Sequence, residues 1–224
     1  MQKTIVYGAS GHGKVVADIL LACKDTTFAG FVDDRAELQS TYVLGLPVFG
    51  NGHWLEEEIR RVNVTVALGV GDNFIRERLA EKCLAWGAEL ATLVHPAASV
   101  SSSARLGAGT AVMAQAAINP CAKIGRCAIV NTGAVVEHDV VIGDFAHVAP
   151  NATMGGASSL GDHSFLAMNA VVLHCVSVGS CSIVGAGAVA VHNIPDHVVA
   201  FGVPAKVRRD TTVGARATHV STRS

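Results

Sequence analysis

From Val100 to Val184 every sixth residue is aliphatic or methionine, fifteen in succession with no insertion. The phase two residues earlier, from Ala98 to Ser182, holds only Ala, Ser, Thr and Val. The phase just after the aliphatic one holds seven glycines and only Met113 and Leu173 as large apolar residues. An overall apolar content of 50% cannot sort residues by phase in this way. Residues two apart on a strand point to the same side, so each unit is a short strand that turns one large and one small side chain inward. The glycine that follows is expected to let the chain turn. Three strands close one coil of a triangular prism. The fifteen units then make about five coils of a parallel β-helix, each stacked roughly 4.8 Å on the last. The period leaves the hand of the coil open, although the usual crossover rule favours the right-handed one.

Charge and composition narrow the functional classes. A net charge of -1 and a pI near 6.8 remove the simplest electrostatic case for nucleic acid or an anionic membrane surface. No apolar run approaches the roughly 18 residues of a membrane span, and the opening Met1-Gln-Lys-Thr-Ile-Val-Tyr-Gly8 reaches a glycine before a signal-peptide core could form. A cytoplasmic protein without nucleic-acid or membrane partners is expected. The six cysteines include no CxxC pair, and Cys121 and Cys127, like Cys175 and Cys181, fall on different faces of the prism, so none is expected to bridge.

Before the repeat, residues 3–7 form an apolar strand, followed by Gly8-Ala-Ser-Gly11-His-Gly13 and a stretch of helical spacing to Cys23. Such a turn brings backbone N–H groups to a phosphate at the positive end of a helix. A second strand over 28–32 ends in Asp33-Asp34, acids suited to ribose hydroxyls or base N–H groups. Residues 52–61 and 73–86 read as helices, and 64–68 and 90–94 as strands. About four strands is half of a dinucleotide domain, so one nucleotide diphosphate is expected rather than NAD. The other reading is an α/β cap that only closes the end of the prism. The expected division is 1–94 for an α/β nucleotide-sugar-binding domain, 95–208 for the β-helix and 209–224 for a polar tail.

One stretch departs from the small-residue chemistry of the repeat. Glu137-His138-Asp139 places three consecutive ionisable residues in a turn between strands. A histidine is the natural base near neutral pH, and an adjacent carboxylate fixes its tautomer and raises its basicity.

The Gly8–Gly13 turn, Asp33-Asp34, Gly71-Asp-Asn-Phe-Ile-Arg76, the hexads, the stretch from Asn131 to His147 and Gly202-Val-Pro-Ala-Lys206 together resemble the sugar O- and N-acyltransferases. These are hexapeptide-repeat enzymes that include bacillosamine-pathway UDP-4-amino-sugar N-acetyltransferases and sialic acid O-acetyltransferases. The resemblance implies a left-handed β-helix, a homotrimer, and acetyl-CoA as acetyl donor with no metal. It makes His138 the general base and Asp139 its supporting carboxylate. His147, Gly156, Met168 and Ala186 match cofactor-contacting positions, with the Gly156 N–H facing the thioester. Ser10, Gly11, His12, Asp33, Asp34 and Gly71 match substrate contacts. The implied reaction is acetylation of the 4-amino group of a nucleotide-linked, UDP-type deoxyamino sugar for glycan biosynthesis.

Three rivals remain open. Acetylation of a sialic acid or another sugar hydroxyl would use the same base. A noncatalytic nucleotide-binding β-helix would bind ligand without releasing CoA, and an NAD-linked oxidoreductase would bind nicotinamide at the first turn. A prism zinc site using His138 and His174 lacks its third ligand, since Gly179 stands where that histidine would be.

Overall fold

The computed structural model describes residues 3–23 and 27–211. The chain opens with β1 (Lys3–Tyr7), α1 (Gly11–Ala22) and β2 (Thr27–Val32), then a small hairpin of β3 (Tyr42–Val43) and β4 (Leu46–Pro47). It continues through α2 (Gly52–Arg61), β5 (Val64–Leu68), α3 (Asn73–Ala85) and β6 (Glu89–Leu90). Strands β2, β1, β5 and β6 pair in that order as one parallel sheet. β1 and β5 are buried along nearly their whole length, which is why they read as continuous apolar runs.

The first turn is tight because glycines meet there. A Cβ on Gly13 would stand 2.8 Å from the carbonyl carbon of Gly8, and one on Gly69 would stand 2.9 Å from the Cα of Gly13. Gly8 itself has φ of +112°. The start of α1 is thereby held against the ends of β1 and β5.

The single strand expected over 90–94 divides in two. Glu89–Leu90 completes the α/β sheet beside β5, whereas Leu93–Val94 pairs with Ala111–Val112 and is the first rung of the prism. The repeat therefore begins one unit before Val100, and Ala190 continues its phase beyond Val184. Three parallel ladders result, and the solenoid has about six left-handed turns. The first face runs from Leu93–Val94 through His147–Val148 to Ile183–Val184, then gains Val198–Phe201 and the antiparallel Lys206–Asp210. The second runs from Ser99–Val100 to Val189–Ala190, and the third from Arg105–Leu106 to Ser177–Val178. The first two residues of the expected polar tail, Arg209 and Asp210, thus belong to a strand paired with the first face. The rest of the expected tail, 212–224, lies outside the described residues.

The core follows the two inward phases. Val112, Ile118, Ile124, Val130, Val136 and their successors are buried with the small residues between them. Thr110, Ser164 and Ser182 of this small phase turn their hydroxyls to backbone carbonyls, whereas the buried Ser158 hydroxyl has no partner among the described residues. Thr110 Oγ1 donates to Gly125 at 2.8 Å, and Ser164 Oγ donates to Gly179 at 2.6 Å.

The role expected for the repeat's glycines is corrected by the backbone. From Gly109 to Gly187 every sixth residue has φ between +51° and +77°, and of these only Gly109, Gly133 and Gly187 are glycine. The turn is made two positions after the glycine phase, by residues such as Cys121, Asp139, Phe145 and His163. Gly107, Gly125, Gly143, Gly161 and Gly179 instead line one corner, between the third and first faces. A Cβ on Gly125 would lie 2.5 Å from the Gly143 carbonyl carbon and 2.6 Å from the Asp144 nitrogen. Close stacking of successive coils, rather than turning, demands glycine there.

The outer side of the first face is covered by the α/β unit. Leu93, Ala111 and Ile129 are buried in one cluster with Val16 and Leu20 of α1. Cys127 and Phe145, at the glycine-lined corner, are buried with Leu79, Ala80 and Cys83 of α3. Cys83, Cys121, Cys127, Cys175 and Cys181 are free thiols.

Candidate active site

His138 lies at the corner between the second and third faces. The left-handed conformation of Asp139, with φ of +60°, curls its carboxylate back to the preceding ring. His138 Nδ1 and Asp139 Oδ2 are 2.9 Å apart. An ionised carboxylate only accepts, so Nδ1 carries the hydrogen and Nε2 presents its lone pair. Glu137 Oε2 accepts from the backbone N–H of His138 at 3.3 Å, a role that anchors the turn. Both members of the His138–Asp139 pair are about 60% exposed, so a substrate reaches Nε2 without rearrangement.

Gly156 sits one coil above on the same corner. A Cβ there would stand 2.6 Å from His138 Nε2 and 2.8 Å from Cε1. The imidazole therefore lies over the bare Cα of Gly156, and the missing side chain is what lets it lie there. That role was legible only in the spacing of 18 between the two residues. The Gly156 N–H makes no hydrogen bond among the described residues, so it is free to donate to an incoming group.

His147 is elsewhere. It projects from the outer side of the first face and is only 7% exposed. Its Nδ1 lies 3.4 Å from the Gly71 carbonyl, and its Nε2 lies 3.0 Å from Asn131 Nδ2. Asn131 Oδ1 accepts from the Thr132 N–H at 2.8 Å, which fixes the amide so that its nitrogen donates to His147. Nδ1 then donates to Gly71, and the ring is held neutral. Burial, reinforced by the Arg76 charge, lowers its pKa well below the ordinary value. His12, at the start of α1, faces it with ring centroids 6.1 Å apart. Burial and Arg76 lower the His12 pKa to about 4, and its buried Nε2 has no partner among the described residues.

Arg76 binds these parts together. It is 1% exposed, and its guanidinium is spent on carbonyls and one amide. It donates to Cys127 and Phe145 of the prism at 2.8 and 2.7 Å, to Val70 and Gly71 at 3.2 and 3.1 Å, and to Asn73 Oδ1 at 2.9 Å. No residue in this set was singled out as a site residue from the sequence except Gly71. An arginine on the apolar stripe Arg76, Leu79, Ala80, Cys83 was the available signal.

Ser10, Asp33 and Asp34 open onto a cavity of about 490 Å³ beside β1 and α3. Val70, Ile75 and Leu79 give it an apolar wall, and Arg35, Arg78 and Lys82 give it cations. Gly11, the residue after Ser10, is exposed, with open space where a Cβ would stand. The two aspartates are already engaged. Asp33 accepts from the Ala9 N–H at 2.8 Å and from the Arg35 guanidinium at 2.9 Å. Burial would raise its pKa, but these donors hold it below the usual value. Asp34 accepts from the Tyr7 hydroxyl and from the Gly52 N–H. The free hydrogen-bonding groups that line the cavity are thus mainly donors, and Arg78 and Lys82 form no ion pair among the described residues.

The expected site residues therefore gather in separate places on one chain. His12, Gly71 and His147 meet where the α/β unit covers the first face, and Ser10, Asp33 and Asp34 line the neighbouring cavity. His138, Asp139 and Gly156 occupy the corner shared by the other two faces. Met168, 55% exposed, and Ala186 one coil above it stand at the corner between the first and second faces. Among the described residues no group of three His, Cys, Asp or Glu side chains could hold a metal ion, and no helix is long and apolar enough to cross a membrane.

Comparison with known proteins adds independent information. The family model described as the PglD N-terminal domain matches residues 3–83. The UDP-N-acetylbacillosamine N-acetyltransferase of Bacillus subtilis (strain 168) is 38% identical over 116 residues, 51% of this chain and 52% of that protein, so the match spans about half of this curated relative. Among solved structures, a variant of perosamine N-acetyltransferase from Caulobacter crescentus, in complex with CoA and GDP-perosamine, superposes with a TM-score of 0.88. It is 41% identical, covering 94% of this chain and 98% of that one. The acetyltransferase domain of PglB from Neisseria gonorrhoeae FA1090, in complex with acetyl coenzyme A, superposes with a TM-score of 0.86 at 37% identity, covering 92% and 99%.

Proposed function

This chain belongs to the hexapeptide-repeat sugar N-acyltransferases, and from that premise we propose that it transfers the acetyl group of acetyl-CoA to the amine of a nucleotide-linked amino sugar. The observation that carries the proposal is the His138–Asp139 pair, with Nε2 free and directed over Gly156. Asp139 holds the Nδ1–H tautomer. His138 Nε2 takes a proton from the acceptor amine as its nitrogen attacks the thioester carbonyl carbon. The C–S bond then breaks, and the proton on His138 passes to the departing thiolate. The Gly156 N–H, unpartnered among the described residues and one coil above this base, is the donor we assign to the oxyanion, and one such donor is worth ~3 kcal/mol in rate. Met168 and Ala186 are the surfaces on which we place the pantetheine arm. His147, with both ring nitrogens engaged within the chain, supports the site through Gly71 rather than through a free nitrogen.

We place the nucleotide in the cavity of Ser10, Arg78 and Lys82, with its diphosphate at the start of α1. Asp33 and Asp34 shape that cavity by holding Arg35, Ala9, Tyr7 and Gly52. Within one chain the cavity and His138 lie on opposite sides of the prism. This separation supports a site completed by a second subunit, and a homotrimer is the assembly we propose. The acceptor amine is taken as the 4-amino group of a deoxyamino sugar. UDP was the nucleotide expected from the sequence, and relatives act on UDP- and GDP-linked compounds. We place the reaction in the cytoplasm, the location expected from the sequence.

The test is thiol release from acetyl-CoA with UDP-, GDP- and dTDP-linked 4-amino sugars, with sialic acid and NADH as controls. Release with one nucleotide amino sugar is expected. Release only with sialic acid would replace this proposal by O-acetylation, and binding without release would make the chain a noncatalytic binder.

A further inference from the structure

A second cavity, of about 460 Å³, lies against the third face and the corner that carries His138. It is lined by Ser102, Ser103, Ala104, Arg105, Cys121 and Lys123. Ser102 and Cys121 belong to the two coils directly below His138, so the cavity opens roughly 5–10 Å from the base along the prism axis.

Its electrostatics are unusual for this chain. Arg105 and Lys123 are register partners on neighbouring strands, and both point outward. Like charges stacked this way repel and cost stability. No carboxylate lines the cavity, and neither cation joins an ion pair among the described residues. The positions above them on the same column are Val141, Ser159 and Ser177, so the charge is confined to these two coils. The Ser103 hydroxyl accepts from the Cys121 N–H and is hydrogen-bonded to Ser101, so two uncompensated cations with the Ser102 hydroxyl in a concave site are what match a phosphate group.

We propose that Arg105 and Lys123 bind a phosphate of the nucleotide-linked acceptor while its amine lies at His138. The inference rests on the acyl-transfer reading above and assigns a binding site to a surface outside the nucleotide cavity. The positions placed on the donor, Gly156, Met168 and Ala186, all lie on higher coils than His138. The acetyl donor therefore extends toward the C-terminal end of the prism, and the space below the base is left to the acceptor. A sugar diphosphate spans the distance from a ring amine at His138 to these cations. The same phosphates can also meet the start of α1 of a neighbouring subunit from the opposite side.

The experiment uses the full chain carrying Arg105→Gln and Lys123→Gln. The acceptor KM should rise about tenfold for each cation removed, with the acetyl-CoA KM within twofold of wild type and an unchanged or higher melting temperature. The charge-keeping pair Arg105→Lys and Lys123→Arg should recover most of the affinity. A rise in the acetyl-CoA KM instead would assign the cavity to a phosphate of the donor and overturn the proposal, as would no change in either KM. If wild type acetylates no nucleotide amino sugar, the acyl-transfer reading fails by itself. Equilibrium binding of inorganic pyrophosphate then decides the cavity, and equal affinity in wild type and the double glutamine variant would refute an anion site.

Discussion

Replacing Arg76 with methionine keeps much of the side chain's volume and deletes five hydrogen bonds. Two of them cross from α3 to the prism carbonyls of Cys127 and Phe145, at 2.8 and 2.7 Å, and are the shortest of the set. A buried acceptor left without a donor costs about 1–3 kcal/mol. The Cys127, Phe145 and Asn73 acceptors together put the gross loss at roughly 5 kcal/mol, with smaller additions from the longer bonds to Val70 and Gly71. The variant also escapes the cost of burying a cation, a cost felt in the lowering of the Arg76 pKa to about 10. That relief returns part of the loss, leaving a net destabilisation of ~3 kcal/mol. Urea denaturation of the two proteins measures it, as a lower midpoint at matched slope. Arg76→Lys, which keeps the charge but cannot span both sides, should fall between them. A shift equivalent to less than ~1 kcal/mol for the methionine variant would show that these carbonyls find other donors and that Arg76 does not fix the α/β unit on the prism.

Gly156→Ala should leave the fold intact, because its φ is not in the left-handed region, yet lower turnover at least tenfold by displacing the His138 ring; initial rates beside a melting curve check both. His12 and His147 are held neutral in the fold and charge in the unfolded chain below about pH 6.5. The unfolded state then binds more protons, so stability falls as pH drops from about 6.5 toward 4, and the pair contributes up to ~2.7 kcal/mol per pH unit. In His12→Asn the slope of unfolding free energy between pH 4.5 and 6 should be shallower by up to ~1.4 kcal/mol per unit, and an unchanged slope would refute its burial as a neutral ring. Gly125→Ala should destabilise by ~2 kcal/mol through collision with the next coil. Cys175→Gly, at φ of +58°, should be neutral or stabilising by ~0.5 kcal/mol. Paired denaturation curves separate these two positions.

The prism was legible because its period is simple. One residue in six must fill the interior and another must stay small, and neither requirement depends on distant partners. The turn conformation was not legible, because the left-handed position is filled by Cys, Asp, Asn, Phe and His more often than by glycine, and the glycines mark coil stacking instead. His138 and Asp139 were visible as ionisable residues in a run of small ones. Their pairing needs only the adjacent residue, so the sequence carries it. The placement of His147 depends on Gly71 and Asn131, 76 and 16 residues away, and no local pattern encodes such contacts. Asp33 and Asp34 were recognisable as acids after a strand. Their engagement by Tyr7, Ala9, Gly52 and Arg35 appears only once the sheet brings those groups together.

The most direct measurement compares wild type with His138→Ala on the nucleotide amino sugar that wild type accepts, following CoA release and identifying the product amide by mass. His138 is exposed, so the variant should fold as wild type does and lose about 10²–10⁴ in kcat while forming the same product in trace. A kcat within tenfold of wild type would contradict the account, since the base would then have to be another group.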